Sequence, residues 1–424
     1  MKVLLCHNFY QQWGGEDQVF LDEATMLRDG GHEVLTYTRH NDDIKDRSRF
    51  AVARDTFWNR RTFDEVRQIL RTQRPQLVHC TNIFPLISPA VYDAARAEGV
   101  PVVQSLHNYR LLCPNAFFVY EGKTCEACLT KALAWPGILR KCYRGSTSAS
   151  TVLAGMTAWH RVLGTWRDKV HTYIAQSQFS RRKFIEGGLP ADKLVVKANS
   201  MDRDPPIGDG SGGYAVCMAR LSSEKGIDVL IDAWSRLRRP VPLKILGTGP
   251  IEHLAREAAE RHPHIEWLGR QSPEQVLDIV GRAACKIVPS VNYEHCPKVL
   301  IEANAKGTPA IASNIGALGE MIEPGRNGFL VPPGNAEALA AKVDEVFANP
   351  DLLQSLRASA REVYDRRWTS QRNYAQLIEI YESILDSHPD QPSDQQDDRN
   401  SATAESSTTL HTAGEPSFAA THTD

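Results

Sequence analysis

The sequence predicts an α/β protein of two domains, each built on a parallel sheet. The first observation is a repeated alternation of short apolar runs with helical patterns, which is typical of βαβ units. The second is a stretch at residues 202–213, rich in proline, glycine and aspartate, that separates two such alternations. The third is the loss of aliphatic residues after about Ser387. We therefore expect two domains, a linker and a disordered tail at residues 388–424.

The N-terminal domain is predicted to span residues 1–201. Its short apolar runs, each a candidate strand, lie at residues 3–7, 32–37, 77–80, 100–104 and 173–177. Helical patterns lie between them, and the first follows Gly14-Gly15 and ends near Gly30. Because strands that are joined through helices pair in the same direction, we expect one parallel sheet.

The C-terminal domain is predicted to span residues 214–366, after the linker. Its candidate strands lie at residues 214–218, 243–246, 265–268, 286–289 and 309–312. Two α/β halves joined by a linker form a cleft, and ligands of such sheets bind beyond the carboxyl ends of the strands. The loops that follow the strands are therefore the first candidates for a site.

Composition and charge exclude several classes of function. The chain has 424 residues, 42% of them hydrophobic and 24% charged, as in an ordinary globular protein. Its net charge of −2 offers no general basic surface for nucleic acid. No apolar run is long enough to span a bilayer, and residues 1–8 enter a strand pattern without the features of a signal peptide. We expect a cytoplasmic protein, with peripheral contact at the inner face of the membrane as an option.

Two cations follow the first strand of the second domain. Arg220 and Lys225 lie in the loop after residues 214–218, and Gly226 then opens a helical pattern at residues 227–237. Arg can bind a phosphate through two hydrogen bonds and Lys acts as a point charge, so the pair suits a diphosphate beside a helix N-terminus. The alternative is an ordinary solvated loop. A glycine pair in Gly247-Thr248-Gly249-Pro250 also follows a strand, where it is either a phosphate loop or a tight turn.

Two carboxylates lie eight positions apart near the end of that domain. Glu294 precedes Pro297, which we expect to open a helix near its first position. Glu294 would then lie in the loop before the helix and Glu302 more than one turn inside it. Carboxylates accept hydrogen bonds from vicinal hydroxyls of a ribose or a hexose. The alternative is that Glu294 is an acid favoured by the dipole at the start of the helix and that Glu302 is a surface residue.

Taken together, these motifs resemble the family 4 retaining glycosyltransferases of the GT-B fold, over the chain up to about residue 385. The resemblance also rests on Gly307-Thr308-Pro309-Ala310-Ile311-Ala312 and Asn327-Gly328-Phe329-Leu330-Val331. It implies two Rossmann-like domains that face each other across a cleft, with a helix at residues 367–387 that crosses back to the first domain. It implies transfer of a sugar from a nucleotide-sugar donor to a glycan or lipid-linked glycan, without a catalytic metal, in surface polysaccharide biosynthesis.

The resemblance also implies a role for each matching residue. Glu294 and His107 would be the catalytic pair that contacts the donor sugar. Arg220, Lys225 and Gly15 would hold the donor phosphates, and Glu302 would bind the ribose. A retaining enzyme of this kind would let a donor phosphate oxygen take the proton of the acceptor hydroxyl.

One segment departs from the family. His295-Cys296-Pro297-Lys298 stands where the family usually has a glycine-rich stretch whose backbone N–H groups contact the sugar. Pro297 has no N–H to donate, and we expect Cys296 and Lys298 to take part in donor binding instead, with Lys298 replacing that donor or meeting an acidic sugar. Two other functions remain open, namely a GT-B nucleotide-sugar epimerase and a non-catalytic nucleotide-sugar-binding scaffold.

A cysteine cluster marks an insert at residues 113–145. Its four thiols are Cys113, Cys125, Cys128 and Cys142. A close Cys-x-x-Cys pair with two further thiols suits a tetrahedral structural zinc, which would have no open coordination position. Four independent thiols, or a redox pair, are the alternatives.

Residues 129–185 form a basic segment that also contains tryptophan. It carries ten Lys or Arg residues, the single acid Asp168, and Trp135, Trp159 and Trp166. Basic and aromatic residues on helices suit an anionic membrane surface or an anionic lipid-linked acceptor. The alternative is that the tryptophans belong to the core and the charges form a solvated face.

Overall fold

The computed structural model describes residues 1–388, so the predicted tail lies outside the described residues from position 389 onward. The N-terminal domain begins with β1 (Lys2–Phe9), α1 (Gly15–Asp29), β2 (Glu33–His40), α2 (Arg49–Phe57), α3 (Arg60–Gln73), β3 (Leu77–Cys80), α4 (Ala90–Ala97) and β4 (Val102–Leu106). It continues with β5 (Val119–Tyr120), β6 (Lys123–Thr124), α5 (Trp135–Leu139), α6 (Thr147–Val162), α7 (Thr165–Asp168), β7 (Thr172–Ala175), α8 (Gln178–Glu186) and β8 (Leu194–Val196).

Six of these strands form one parallel sheet in the order β2-β1-β3-β4-β7-β8, while β5 and β6 form a separate antiparallel pair. Both faces of the sheet are covered, as the alternation along β1 shows. Val3 and Leu5 pack in a cluster with Phe20 of α1. Leu4 and Cys6 point the other way. Burial on both faces explains why the strands read as continuous apolar runs.

The C-terminal domain repeats this arrangement. Its elements are β9 (Ala215–Met218), α9 (Ile227–Ser235), β10 (Leu243–Leu246), α10 (Glu252–Arg261), β11 (Ile265–Gly269), α11 (Pro273–Arg282), β12 (Cys285–Val288), α12 (Lys298–Ala305), β13 (Ala310–Ser313), α13 (Leu318–Met321), β14 (Gly328–Val331), α14 (Ala336–Phe347) and α15 (Pro350–Arg367). The sheet is parallel throughout, in the order β11-β10-β9-β12-β13-β14. Two parallel sheets with helices between their strands confirm the predicted α/β class.

The last helix of the described chain, α16 (Ser370–Asp386), returns to the N-terminal domain. Leu377 and Tyr381 are fully buried in the cluster that covers one face of the first sheet. The Tyr381 hydroxyl lies 2.7 Å from Nδ1 of the buried His79 on β3, whose Nε2 lies 2.8 Å from Ser105 Oγ. The helix therefore crosses back as the resemblance implies.

We expect Tyr381→Phe to lower the free energy of unfolding by about 1–3 kcal/mol, because it leaves a ring nitrogen of buried His79 without its hydrogen-bond partner. Denaturant unfolding measures the change. Tyr374→Phe is the matched control on the same helix, since its hydroxyl contacts the partly exposed His32 at 2.8 Å. An equal loss in both variants would contradict this role for His79.

Burial also makes stability depend on pH. His79 is fully buried, and burial lowers its pKa to about 4. The unfolded chain takes up this proton near pH 6.5 while the folded chain does not, so stability falls as the pH drops below about 6.5. We therefore compare the free energy of unfolding of the wild type with that of His79→Gln. The difference between the two should be smaller at pH 5 than at pH 7 by about 2 kcal/mol. Denaturant unfolding at the two pH values tests this, and a constant difference would contradict it.

Element boundaries differ from the sequence predictions by a few residues, each for a local reason. The strand expected at 173–177 ends at Ala175 because Ser177 caps α8, its Oγ accepting from Ser180 N–H at 3.1 Å. Pro297 is the residue before α12 rather than its first residue. The helix expected at 227–237 ends at Ser235.

Candidate active site

A cavity of about 370 Å³ lies between the two domains, beside the carboxyl ends of β1, β4, β9 and β12. Its volume is in the range of small-molecule sites. Seven of the eight residues assigned to the donor by the sequence line it, namely Gly15, His107, Arg220, Lys225, Glu294, Cys296 and Lys298. Gly15 and Lys298, which are 283 positions apart in the chain, therefore meet at one site.

The N-terminal wall begins with the Gly14-Gly15 turn at the start of α1. Gly14 N–H donates to Asp17 Oδ2 at 2.9 Å. The other oxygen of the fully buried Asp17 accepts from Tyr10 N–H at 3.2 Å and lies 2.9 Å from His7 Nε2. These contacts fix the turn, and the first N–H groups of the helix have no partner within it. The turn can therefore present backbone donors to an anion.

The C-terminal wall carries both cations. Arg220 forms an ion pair with Glu224, and its guanidinium lies 5.5 Å from the ring centroid of Phe117 in the opposite domain. Lys225 ends the helical turn Ser223–Lys225 and is followed by Gly226 with φ +68°. A Cβ at residue 226 would lie 2.1 Å from the Pro289 carbonyl oxygen, so only glycine fits this approach.

Glu294 lies beside Lys225 on the same wall of the cavity. Its Oε1 lies 2.6 Å from Lys225 Nζ and accepts from Ser290 Oγ at 2.8 Å. The backbone beside it is held closely, since Ala317 N–H donates to the Glu294 carbonyl at 3.0 Å. Lys225 and Glu294 form an ion pair with each other in this structure. A ligand with both groups could take the place of this pair, with a phosphate bound to Lys225 and a hydroxyl bound to Glu294.

Two neutral imidazoles face the cavity region from opposite domains. His107 follows β4, and its Nε2 is buried with no hydrogen-bond partner in residues 1–388. Burial lowers its pKa to about 3, and burial also lowers the pKa of His295 well below its usual value. The His295 ring packs on Tyr109 with 3.7 Å between centroids. A neutral imidazole offers one donor and one acceptor, which suits sugar hydroxyls.

A polar group centred on Glu16 lies on the N-terminal wall and was not predicted from the sequence. Tyr10 donates its hydroxyl to Glu16 Oε2 at 2.7 Å, and Asn108 Nδ2 donates to the same oxygen at 3.2 Å. Glu16 Oε1 is buried with no partner in the described part of the chain, and burial raises the pKa of this carboxyl. The available signal was the place of Glu16 directly after the glycine turn and of Asn108 directly after His107. Nothing in the spacing connects the two.

Lys298 and Cys296 line the cavity, but both are also engaged elsewhere. Lys298 Nζ forms an ion pair with Asp22 of α1, so its ammonium ties the C-terminal domain to the N-terminal domain. Cys296 is buried in an apolar cluster of the C-terminal domain, and burial raises its pKa to about 11. Its carbonyl accepts from Asn199 Nδ2 at 2.8 Å. Their part in donor binding stays a prediction.

Glu302 is the assigned residue that does not line the cavity. It lies on α12, as expected, with Oε2 buried and unpartnered among residues 1–388. Burial raises its pKa, while Lys298 and the fully buried Lys286 oppose that shift. Its assignment to the ribose therefore stays a prediction from the resemblance.

The four cysteines of the insert lie in the same segment with free thiols. Cys113 Sγ donates to Asn115 Oδ1 at 3.0 Å, and Cys125 Sγ accepts from Arg140 at 3.0 Å. Over residues 1–388, no group of three or more His, Cys, Asp or Glu side chains is arranged to hold a metal. The insert also has an apolar anchor, because Phe118 and Leu129 are buried in the core of the N-terminal domain. Zinc stays a prediction from spacing alone, which elemental analysis of the purified protein can decide.

Two family models match the chain and together cover both walls of the cavity. One, described as a glycosyl transferase 4-like domain, matches residues 14–200. The other, described as glycosyl transferases group 1, matches residues 206–363. The chain belongs to the family 4 type of GT-B glycosyltransferases. The resemblance stated from the motifs is thereby confirmed.

Relatives of this glycosyltransferase extend over most of its length. An uncharacterized glycosyltransferase of Methanocaldococcus jannaschii is 25% identical over 91% of this chain and 99% of that protein. A phosphatidyl-myo-inositol mannosyltransferase of Mycobacterium leprae is 29% identical over 58% of this chain and 67% of that protein. The Anabaena HepE structure, solved with UDP and glucose, is 18% identical with a TM-score of 0.65 over 90% of this chain and 100% of that one. The last likeness confirms the fold.

One further property concerns membranes. In the part of this glycosyltransferase that the structure describes, residues 1–388, we find no helix with the length and apolar character needed to cross a bilayer.

Proposed function

We propose that this glycosyltransferase takes its sugar from a nucleotide-sugar donor and transfers it with retention of anomeric configuration. The observation that carries the proposal is the Lys225–Glu294 pair beside Arg220 on the cavity wall. A diphosphate would become the partner of both cations, and Glu294 would be released to accept hydrogen bonds from the donor sugar. A donor with both groups fits this wall better than a free sugar or a free phosphate does.

The chemistry follows from where charge develops. The bond from the anomeric carbon to the diphosphate breaks, and the leaving nucleoside diphosphate gains negative charge next to Arg220 and Lys225. Cations that are already in place stabilise that charge in the transition state. The acceptor hydroxyl attacks the same face and forms the new glycosidic bond, while its proton passes to a donor phosphate oxygen. Glu294 and neutral His107 would position the sugar.

The acceptor would approach from the N-terminal wall. Glu16 has a buried carboxyl oxygen there that finds no partner within residues 1–388, and Tyr10 and Asn108 hold its other oxygen in place. This arrangement suits an acceptor with a free hydroxyl, and we propose a glycan or lipid-linked glycan in the building of a surface polysaccharide. A relative whose name includes phosphatidyl-myo-inositol supports acceptors that carry lipid.

A transfer assay tests the proposal. The purified protein is incubated with a panel of UDP-, GDP- and dTDP-sugars and glycan acceptors, and the anomeric configuration of the product is determined by NMR. We expect a product with the configuration of the donor. Release of free sugar without any need for an acceptor would favour an epimerase. Nucleotide binding without turnover would favour a scaffold. A product with inverted configuration would refute retention.

A further inference from the structure

The N-terminal domain exposes several large hydrophobic side chains that lie close together in the sequence. Of the ten large hydrophobic side chains that are exposed in residues 1–388, six fall between positions 133 and 163, with exposed fractions of 41% to 83%. These six residues, which we call the apolar patch, are Leu133, Trp135, Leu139, Trp159, Val162 and Leu163. Of the three tryptophans in residues 129–185, only Trp166, which is 6% exposed, belongs to the core. Clustered exposed apolar residues mark interaction sites.

Three members of the patch share one face at the end of α6. Trp159, Val162 and Leu163 have the spacing i, i+3, i+4, which places them together on a helix surface. An adjacent side of the same turn is already packed, because buried His160 lies 2.9 Å from Thr165 Oγ1 and 2.7 Å from the Phe57 carbonyl. The apolar stripe therefore faces outward because the inward face is occupied.

The other three members lie on the neighbouring segment. Trp135 and Leu139 are four residues apart, at the two ends of α5. Arg161 of α6 donates to the carbonyl oxygens of Lys131 at 2.7 Å and Ala132 at 3.4 Å, which holds the segment before α5 against the end of α6. The two apolar stretches therefore lie on neighbouring segments of the N-terminal domain.

The patch is flanked by positive charge. The exposed cations Lys131, Arg140, Lys141 and Arg144 form no ion pair with a carboxylate within the described part of the chain; Arg140 instead donates to Cys125 Sγ. The single acid of the segment, Asp168, pairs with its neighbour Arg167 at 2.8 Å. The flank is therefore available to an anionic partner.

We propose that the apolar patch docks this protein on the surface of a lipid bilayer with anionic headgroups. Tryptophan favours the boundary between apolar and aqueous regions, and unpaired Lys and Arg beside it attract anionic lipid. A second copy of the chain fits less well, because a two-fold contact would bring the same cations of both copies together. Docking through this patch is independent of the donor chemistry.

Flotation of the full-length protein with vesicles tests it, using phosphatidylcholine alone and phosphatidylcholine with roughly one-third phosphatidylglycerol. We expect binding to the anionic vesicles, a blue shift of tryptophan fluorescence, and weaker binding at high salt. The triple variant Trp159→Ser/Val162→Ser/Leu163→Ser should lower partitioning about tenfold or more. Lys131→Glu/Lys141→Glu should lower it about tenfold on the anionic vesicles.

Matched controls separate the patch from general effects. Phe50→Ser/Ile207→Ser removes exposed apolar side chains elsewhere, and Arg238→Glu/Arg239→Glu reverses exposed charge on the other domain. Both should bind as the wild type does, and circular dichroism should show that every variant is folded. Absence of binding to anionic vesicles, equal losses in the controls, or a dimer that the triple serine variant dissociates would overturn the proposal.

Discussion

Lys225→Ala should weaken the binding of the matching nucleoside diphosphate about tenfold to a hundredfold and leave the fold intact. A hydrogen bond to a charged group contributes about 1.5–3 kcal/mol, and a tenfold change in affinity is about 1.4 kcal/mol. The variant also leaves Glu294, which now pairs with Lys225 at 2.6 Å, as an uncompensated carboxylate beside the phosphates. Isothermal titration calorimetry measures the affinity.

The control for this prediction is Lys244→Ala. Lys244 also pairs with a carboxylate, Glu266 at 3.3 Å, but it lies on β10 and does not line the cavity. Its removal should leave nucleotide affinity unchanged. If Lys225→Ala binds the nucleotide as tightly as the wild type does, the phosphate assignment of this wall is wrong.

Glu16→Gln should lower kcat/KM for the acceptor about tenfold to a hundredfold while nucleotide affinity stays within a factor of about two. The substitution keeps the shape of the side chain but replaces a carboxylate oxygen with an amide group, which weakens a charge-assisted hydrogen bond to a hydroxyl. Because Glu16 lies on the wall opposite Arg220 and Lys225, the two properties should separate. Steady-state kinetics with varied acceptor, together with calorimetry of the nucleotide, measures both.

A control with the same position in a helix is available. Glu337 is the second residue of α14, as Glu16 is the second residue of α1, and it is an acid in a first turn on the C-terminal domain. Glu337→Gln should therefore change neither value. A parallel loss of nucleotide and acceptor binding in Glu16→Gln would show that Glu16 does not serve the acceptor alone.

Much of the fold could be predicted because its signal is local. Each strand of a parallel sheet is buried on both faces and reads as an apolar run, so β3 (Leu77–Cys80) and β10 (Leu243–Leu246) were placed to the residue. The cation loop and Glu294 are also local, since each follows a strand, and Glu302 lies inside the helix that comes next. Their neighbours in sequence therefore predicted which edge of the sheet they occupy.

The rest could not be predicted because it depends on contacts between residues that are far apart in the chain. Lys298 meets Asp22 over 276 positions of chain, and Asn108 meets Glu16 over 92. Contacts between residues so far apart in the chain produce no pattern that can be recognised in a single sequence. The spacing of Trp159 and its neighbours on α6 defines a face of the helix, but it does not say whether that face is turned inward or outward. Only the packing of His160 on the adjacent side decides it.

Thermal unfolding with a panel of UDP, GDP, ADP, dTDP and CMP is the most direct test of the diphosphate site, since a ligand that binds only the native state must stabilise it. We expect one nucleoside diphosphate to raise the melting temperature of the wild type and Lys225→Ala to lose most of this shift. Stabilisation by CMP alone, or by no member of the panel, would contradict a diphosphate site between Arg220, Lys225 and the Gly14-Gly15 turn.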